Sequence, residues 1–207
     1  MGVVLSAQTT DVELVARARE GSQDAFAMLV QRHRRMVWSV CLRITADRHD
    51  AEDAVQDALV SVWHHLDSFR GESAFSTWLY RIAANAATAI VRRRRPEPME
   101  ELPLPDVSDF AGRLADVDLV QAALAQLPLA FRQALVLREL CDLTYDQIAS
   151  EQGVGVQTVK SRLHRGRAML KVVLERASPD REPGDLDASY GPAFTAGAPD
   201  RRTSGAG

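Results

Sequence analysis

Four prolines fall within eleven residues, at Pro96, Pro98, Pro103 and Pro105, with Glu97, Glu100, Glu101 and Asp106 among and after them. Proline lacks a backbone donor and cannot continue a helix, so no regular element is expected to cross this stretch. The chain is therefore read as two folded parts, with residues 96–116 as an acidic, Pro-rich linker. Charge follows the same division. Residues 1–95 carry 13 basic against 11 acidic side chains, 96–118 carry 1 against 7, 119–176 carry 8 against 5, and 177–207 carry 3 against 5. The formal net charge of -3 is thus a cancellation of two basic-leaning blocks by an acidic linker and an acidic tail. Positive charge is concentrated further in Arg92–Arg95 and in 160–176, an asymmetry that points to nucleic acid.

Aromatic residues make up only 6% of the chain, and stretches rich in Ala, Leu, Arg, Asp and Glu favour helices over strands. The expected fold class is all-α: two small helical domains, 11–95 and 117–176, joined by a flexible linker, the second a helix-turn-helix domain. Residues 1–10 are expected to form a flexible N-terminus. From 177 to 207 the chain is mostly Pro, Gly, Ser, Ala and Asp and is expected to be a disordered tail. Cys41 and Cys141, far apart in sequence, read as buried thiols in a reducing compartment. Every apolar run is broken by Arg or Asp before reaching the roughly 18 residues of a membrane span. The expected location is the cytoplasm, without membrane insertion.

Periodicity predicts four helices in the first block. The first runs from Asp11 to Arg19 and stops at Gly21; the second is capped by Asp24 and runs to about Ile44, with Arg32, Arg34 and Arg35 opposite its apolar stripe. The third, about 50–66, buries Ala51, Val55, Ala58, Leu59, Val62 and Leu66. Asp53, Gln56, Asp57, Val60 and His64 lie on its other face, which on spacing alone is either solvated or a partner surface. The fourth follows the polar loop Phe69-Arg70-Gly71-Glu72-Ser73 and is expected to bury Phe75, Trp78, Leu79, Ile82, Ala86 and Ile90. Thr77, Arg81, Asn85, Thr88, Arg92 and Arg95 recur on another face of it, a donor-rich ribbon suited to phosphates and base edges.

In the second block, Thr144 with Gln147 forms a capping box ahead of a short helix, Gly153 and Gly155 supply a turn, and a basic helix starts at Val156. Helix, glycine turn and basic helix make a helix-turn-helix whose second helix enters the major groove. Gln157, Lys160, Ser161, His164 and Arg165 are expected to project over its first three turns, beside Thr158. Arg162, Arg167 and Lys171 are better placed for phosphates. A membrane-surface helix would share the basic amphipathic pattern but not the capping box and glycine turn before it.

Three segments, Asp50-Ala51-Glu52-Asp53-Ala54-Val55-Gln56-Asp57, Phe69 to Ala83, and Thr158-Val159-Lys160-Ser161-Arg162-Leu163-His164-Arg165, resemble the extracytoplasmic-function (ECF) sigma factors of the sigma-70 family, over about residues 11–172. The resemblance implies an alternative sigma factor that binds core RNA polymerase, directs it to promoters and starts melting. Region 2 would occupy 11–95 and region 4 117–176. It implies that Asp53, Gln56, Asp57 and Val60 dock on the β′ clamp helices, with the β flap as a further contact. Phe69, Arg70, Gly71, Glu72, Ser73, Thr77, Arg81, Asn85, Thr88 and Arg92 would take the minus-10 element, partly as single strand. Gln157, Thr158, Lys160, Ser161, Arg162, His164, Arg165 and Arg167 would take the minus-35 element. An anti-sigma factor, which occludes these surfaces in many members, is a candidate partner.

The alternative is a helix-turn-helix regulator that is not a polymerase subunit; it accounts for 143–171 but not for the ribbon or the acidic face. No enzyme is expected, and no cofactor: the histidines have no His-Glu-x-x-His spacing, no Gly-rich phosphate loop is present, and adjacent His64 and His65 point to different faces of one helix.

Overall fold

The computed structural model describes residues 8–94 and 116–177, with side chains described for 8–94 and 119–176. The linker and tail expectations lie outside the described residues, as does Arg95, save for their boundary residues Asp116 and Ala177, which are helical. The chain divides into two compact units, 1–97 and 98–207. The described residues are helical and contain no strand, which is the all-α fold class expected.

The first unit begins with α1 (Asp11–Arg19), α2 (Gln23–Thr45) and α3 (Arg48–His65). A single 3-10 turn, Leu66–Ser68, and a short loop lead to α4 (Phe75–Arg94). Thr10 caps α1 in a full box with Glu13: the Thr10 N–H donates to Glu13 Oε2 at 2.8 Å, and the Glu13 N–H donates to Thr10 Oγ1 at 3.3 Å. Thr10 and Thr9, counted with the flexible N-terminus, are thus tied to the unit; the Thr9 carbonyl also accepts from Arg32 at 2.7 Å. Gly21, at φ +90, turns the chain after α1. Ser22 caps α2 in place of Asp24, which sits one residue inside the first turn, where its charge faces the helix dipole.

Leu14, Leu29, Ile44 and Leu79 are fully buried at the centre, while Ala51, Ala54 and Ala58 of α3 and Ala83, Ala84 and Ala87 of α4 bring their helices close. The buried arc of α4 is rotated and wider than predicted. Trp78, Ile82 and Ala86 are only half-buried, whereas Ala83, Ala84, Ala87 and Thr88 are inside, because α4 packs against both α2 and α3.

The second unit holds α5 (Asp116–Ala125), α6 (Leu129–Glu139), α7 (Tyr145–Gln152) and α8 (Val156–Ala177). Pro128 precedes α6, where its missing N–H costs no helical bond. The capping box of Thr144 and Gln147 is present, with the Thr144 N–H donating to Gln147 Oε1 at 2.8 Å. Gly153, at φ +63, ends α7; Gly155 has no positive φ, so the turn needs one glycine and not two. Gln152 joins three helices: its Nε2 donates to Ala130 O at 2.9 Å and Gln133 Oε1 at 3.2 Å, and its Oε1 accepts from Arg162 at 2.8 Å. Gly166 of α8 is buried against α6, where a Cβ would stand 3.2 Å from Leu135 Cδ1. Cys41 and Cys141 are both free and buried, and burial pushes the Cys41 thiol up to about 12.

Candidate functional site

In the loop ahead of α4, Arg70, Gly71 and Glu72 are exposed. Gly71 has φ +76 and open space around the position of a Cβ, so glycine is required by backbone conformation and not by crowding. Phe69 is not a free side chain: its ring stands edge-on to Phe75 at 5.8 Å and tilted against Trp78 at 5.3 Å, anchoring the loop to α4. Ser73 is half-buried and donates to Ala74 O at 3.3 Å. Beneath this loop, Arg19 of α1 donates to the carbonyls of Leu66, Asp67 and Phe69. Sequence reasoning gave Arg19 no role, since its acceptors lie 47 to 50 residues away.

Along α4 the predicted ribbon divides. Asn85 and Arg92 are exposed, and Thr77 and Arg81 are half-exposed. Thr88 is a correction: it is 4% exposed, and its hydroxyl donates to Ala84 O at 2.7 Å, satisfying itself inside the core. The arginine run also divides. Arg93 reaches Asp57 of α3 at 3.5 Å, and Arg94 reaches Asp53 at 3.3 Å and Asp50 more closely.

Those pairs alter the outward face of α3. Asp53 is half-exposed and Gln56 and Asp57 are exposed, but both carboxylates already have a cationic neighbour. The apolar part is more prominent than the sequence reading allowed. Val60 is 58% exposed, and Trp63, which that reading missed, is 39% exposed with its ring edge-on to Phe26 at 4.8 Å. Its spacing, three residues after Val60 on the stripe of Asp53, Gln56 and Val60, would have found it.

On α8, Gln157, Thr158, Lys160, Ser161, His164 and Arg165 are all exposed, forming one polar face over the first three turns. Arg167 does not belong to it. Its side chain is mostly covered and donates to Glu139 Oε1 of α6 at 2.6 Å. Burial pushes the Glu139 carboxyl up from its ordinary value, with the Arg167 bond and charge opposing the rise. Arg167 is thus a packing residue of the unit and not a phosphate contact. Arg162 is half-buried, and its bond to Gln152 orients it toward α7.

Among the described residues no group of three or more His, Cys, Asp or Glu side chains is placed to hold a metal ion, and no helix is long and apolar enough to cross a membrane.

Comparison with known proteins matches residues 29–97 to Sigma-70 region 2 and residues 118–170 to Sigma-70, region 4. The chain is 37% identical over 180 residues to the ECF RNA polymerase sigma-E factor of Escherichia coli K12, covering 79% of this chain and 93% of that one. It is 36% identical over 184 residues to the sigma-E factor of Haemophilus influenzae, covering 81% of this chain and 96% of that one. Among solved structures it is similar to CnrH in complex with the cytosolic domain of CnrY, with a TM-score of 0.56 and 28% identity over 80% of this chain and 97% of that one. It is also similar to the sigma factor RpoE in complex with the anti-sigma factor NepR from Bartonella quintana, with a TM-score of 0.56 and 26% identity over 75% of this chain and 98% of that one. Both regions are present in the family's order, which favours a polymerase subunit over a free-standing helix-turn-helix regulator. The chain belongs to the ECF subfamily of the sigma-70 family: it is an alternative sigma factor, a subunit for transcription initiation with RNA polymerase at promoter DNA.

Proposed function

We propose that the two units divide the work of initiation. The first docks on the β′ clamp helices through Asp53, Gln56, Asp57, Val60 and Trp63 of α3. It engages the minus-10 element through the 69–73 loop and through Thr77, Arg81, Asn85 and Arg92. The second places α8 in the major groove of the minus-35 element through Gln157, Thr158, Lys160, Ser161, His164 and Arg165, and meets the β flap. The protein acts in the cytoplasm, as a regulatory subunit and not as an enzyme.

The observation that carries this reading is the outward face of α3, where Val60 and Trp63 remain exposed beside carboxylates. An apolar centre with a charged rim is what a protein interface needs, and a sigma factor must dock on polymerase. The loop favours melting over simple duplex binding. Extruding a base costs a few kcal/mol, and a pocket that binds the base offsets that cost. The net charge of -3 leaves the isolated chain with little non-specific affinity, so promoter binding depends on polymerase. In this reading an anti-sigma factor acts by covering the same faces.

Transcription in vitro with core polymerase on genomic DNA, followed by start-site mapping, tests the reading. Discrete start sites that require this chain are expected. Failure to bind core, or the same starts without it, would remove the assignment.

A further inference from the structure

Arg19 ends α1, a helix that lies outside the segment matched as region 2. Its guanidinium donates to three carbonyls within four residues: Nε to Leu66 O at 3.1 Å, Nη2 to Asp67 O at 2.8 Å, and Nη2 again to Phe69 O. Acceptors spread along a chain reversal suit a planar donor with N–H groups in fixed directions, which an ammonium group does not supply. The three carbonyls belong to the 3-10 turn and the first residue of the loop, so Arg19 sets the direction in which the loop leaves α3. Between α1 and this loop lies a cleft of about 420 Å³, walled by Val12, Val15 and Ala16 on one side and by Phe69, Gly71 and Phe75 on the other. Val12, on the outer lip, is 79% exposed.

We propose that Arg19 is a positioning residue for strand capture: it props the 69–74 loop against α1 so that the cleft between them accepts one unstacked nucleobase, with Val12 as an outer wall. This rests on the assignment of the loop to the minus-10 single strand. An extruded base requires an apolar slot with polar groups at its edge. The aliphatic and aromatic walls provide the slot, and exposed Arg70 at its rim offers a cation to the neighbouring phosphate. Helix α1 thereby becomes part of the melting apparatus.

The test uses holoenzyme assembled from core polymerase and the full chain, on a promoter fragment selected by transcription with the wild type. Permanganate oxidation of unpaired thymines reads melting, and competition for core reads docking. Arg19→Ala is expected to melt about tenfold more slowly, in keeping with the loss of charge-assisted hydrogen bonds, with core competition unchanged. Arg19→Lys should recover only part of the rate. Val12→Asp, at an exposed position where the fold is undisturbed, should also slow melting, and it decides the matter if Arg19→Ala does not fold. Arg32→Ala is the control, because Arg32 anchors the same helix through Asp11 and the Thr9 carbonyl. Wild-type melting by Arg19→Ala or Val12→Asp, or an equal loss in Arg32→Ala, would overturn the proposal. Arg70→Ala separates the two levels: if it too melts normally, the loop assignment has failed, and if it alone is slow, only the role of Arg19 and α1 has failed.

Discussion

Arg167 and Glu139 show how little a basic residue's position in the sequence says about its task. Both lie on the inner side of the second unit, and their pairing at 2.6 Å ties α8 to α6. Removing one member of a covered ion pair leaves a charge without its partner, so Arg167→Met should cost roughly 3 kcal/mol in urea unfolding, against about zero for Arg165→Ala on the exposed face. The pH dependence has a definite sign. The Glu139 carboxyl is raised in the folded state by burial, so folding binds a proton that the unfolded chain releases, and stability falls as pH rises through that window. Without Arg167 the rise is larger. The variant should therefore lose more stability than the wild type as pH rises above the ordinary carboxylate pKa, and equal losses would contradict a direct pair.

Asp11 behaves in the opposite direction. Burial pushes its carboxyl up, but hydrogen bonds from Arg32 and His33 outweigh that and hold it below the ordinary value. Its contribution is present above the unfolded carboxylate pKa and is lost as pH falls through the folded one. Asp11→Asn should abolish that part of the acid sensitivity, as read by the unfolding midpoint between about pH 5 and about pH 3.

At the level of elements, the helix-turn-helix was legible because its signals are local. A capping box and a glycine in the left-handed region are short-range chemistry, and Thr144, Gln147 and Gly153 are placed as read. The two glycines nevertheless have unequal weight. Gly153→Ala should destabilise the second unit by about 1–2 kcal/mol, because a Cβ is strained at positive φ. Gly155→Ala should be neutral within about 0.5 kcal/mol, since its backbone is unstrained and nothing stands within 4 Å of the added carbon. Thermal melts of the two variants check the difference. What the sequence did not disclose depended on contacts between distant residues: Thr88 inside α4's wide buried arc, Arg93 and Arg94 turned onto α3, and Arg19 reaching the 3-10 turn. Periodicity places a residue on a face; it does not say which neighbours claim that face.

For the whole molecule, two separable activities are expected to reside in separate units. Lys160→Ala or Arg165→Ala should weaken promoter recognition by about 1–3 kcal/mol if the side chain meets a base, and leave competition for core unchanged. Replacing Asp53 and Gln56 together should do the reverse, and adding Trp63→Ala should deepen the defect, because the exposed ring carries apolar area that the carboxylates lack. Quantitative core competition and gel-shift of the holoenzyme separate the two outcomes. The arginine run enters here with reduced weight: Arg93 and Arg94 are paired to α3 carboxylates, so they add less to the field felt by DNA than a count of four arginines suggests.

Gly166 makes no use of its conformational freedom and lies on the side of α8 away from the reading face, yet it fixes how that face is carried. A Cβ at this position would stand 3.2 Å from Leu135 Cδ1, so α8 sits on α6 at a spacing where any larger residue makes the Leu135 side chain give way. The six exposed positions from Gln157 to Arg165 lie clear of that contact, so their side chains can be exchanged without disturbing how α8 packs on α6.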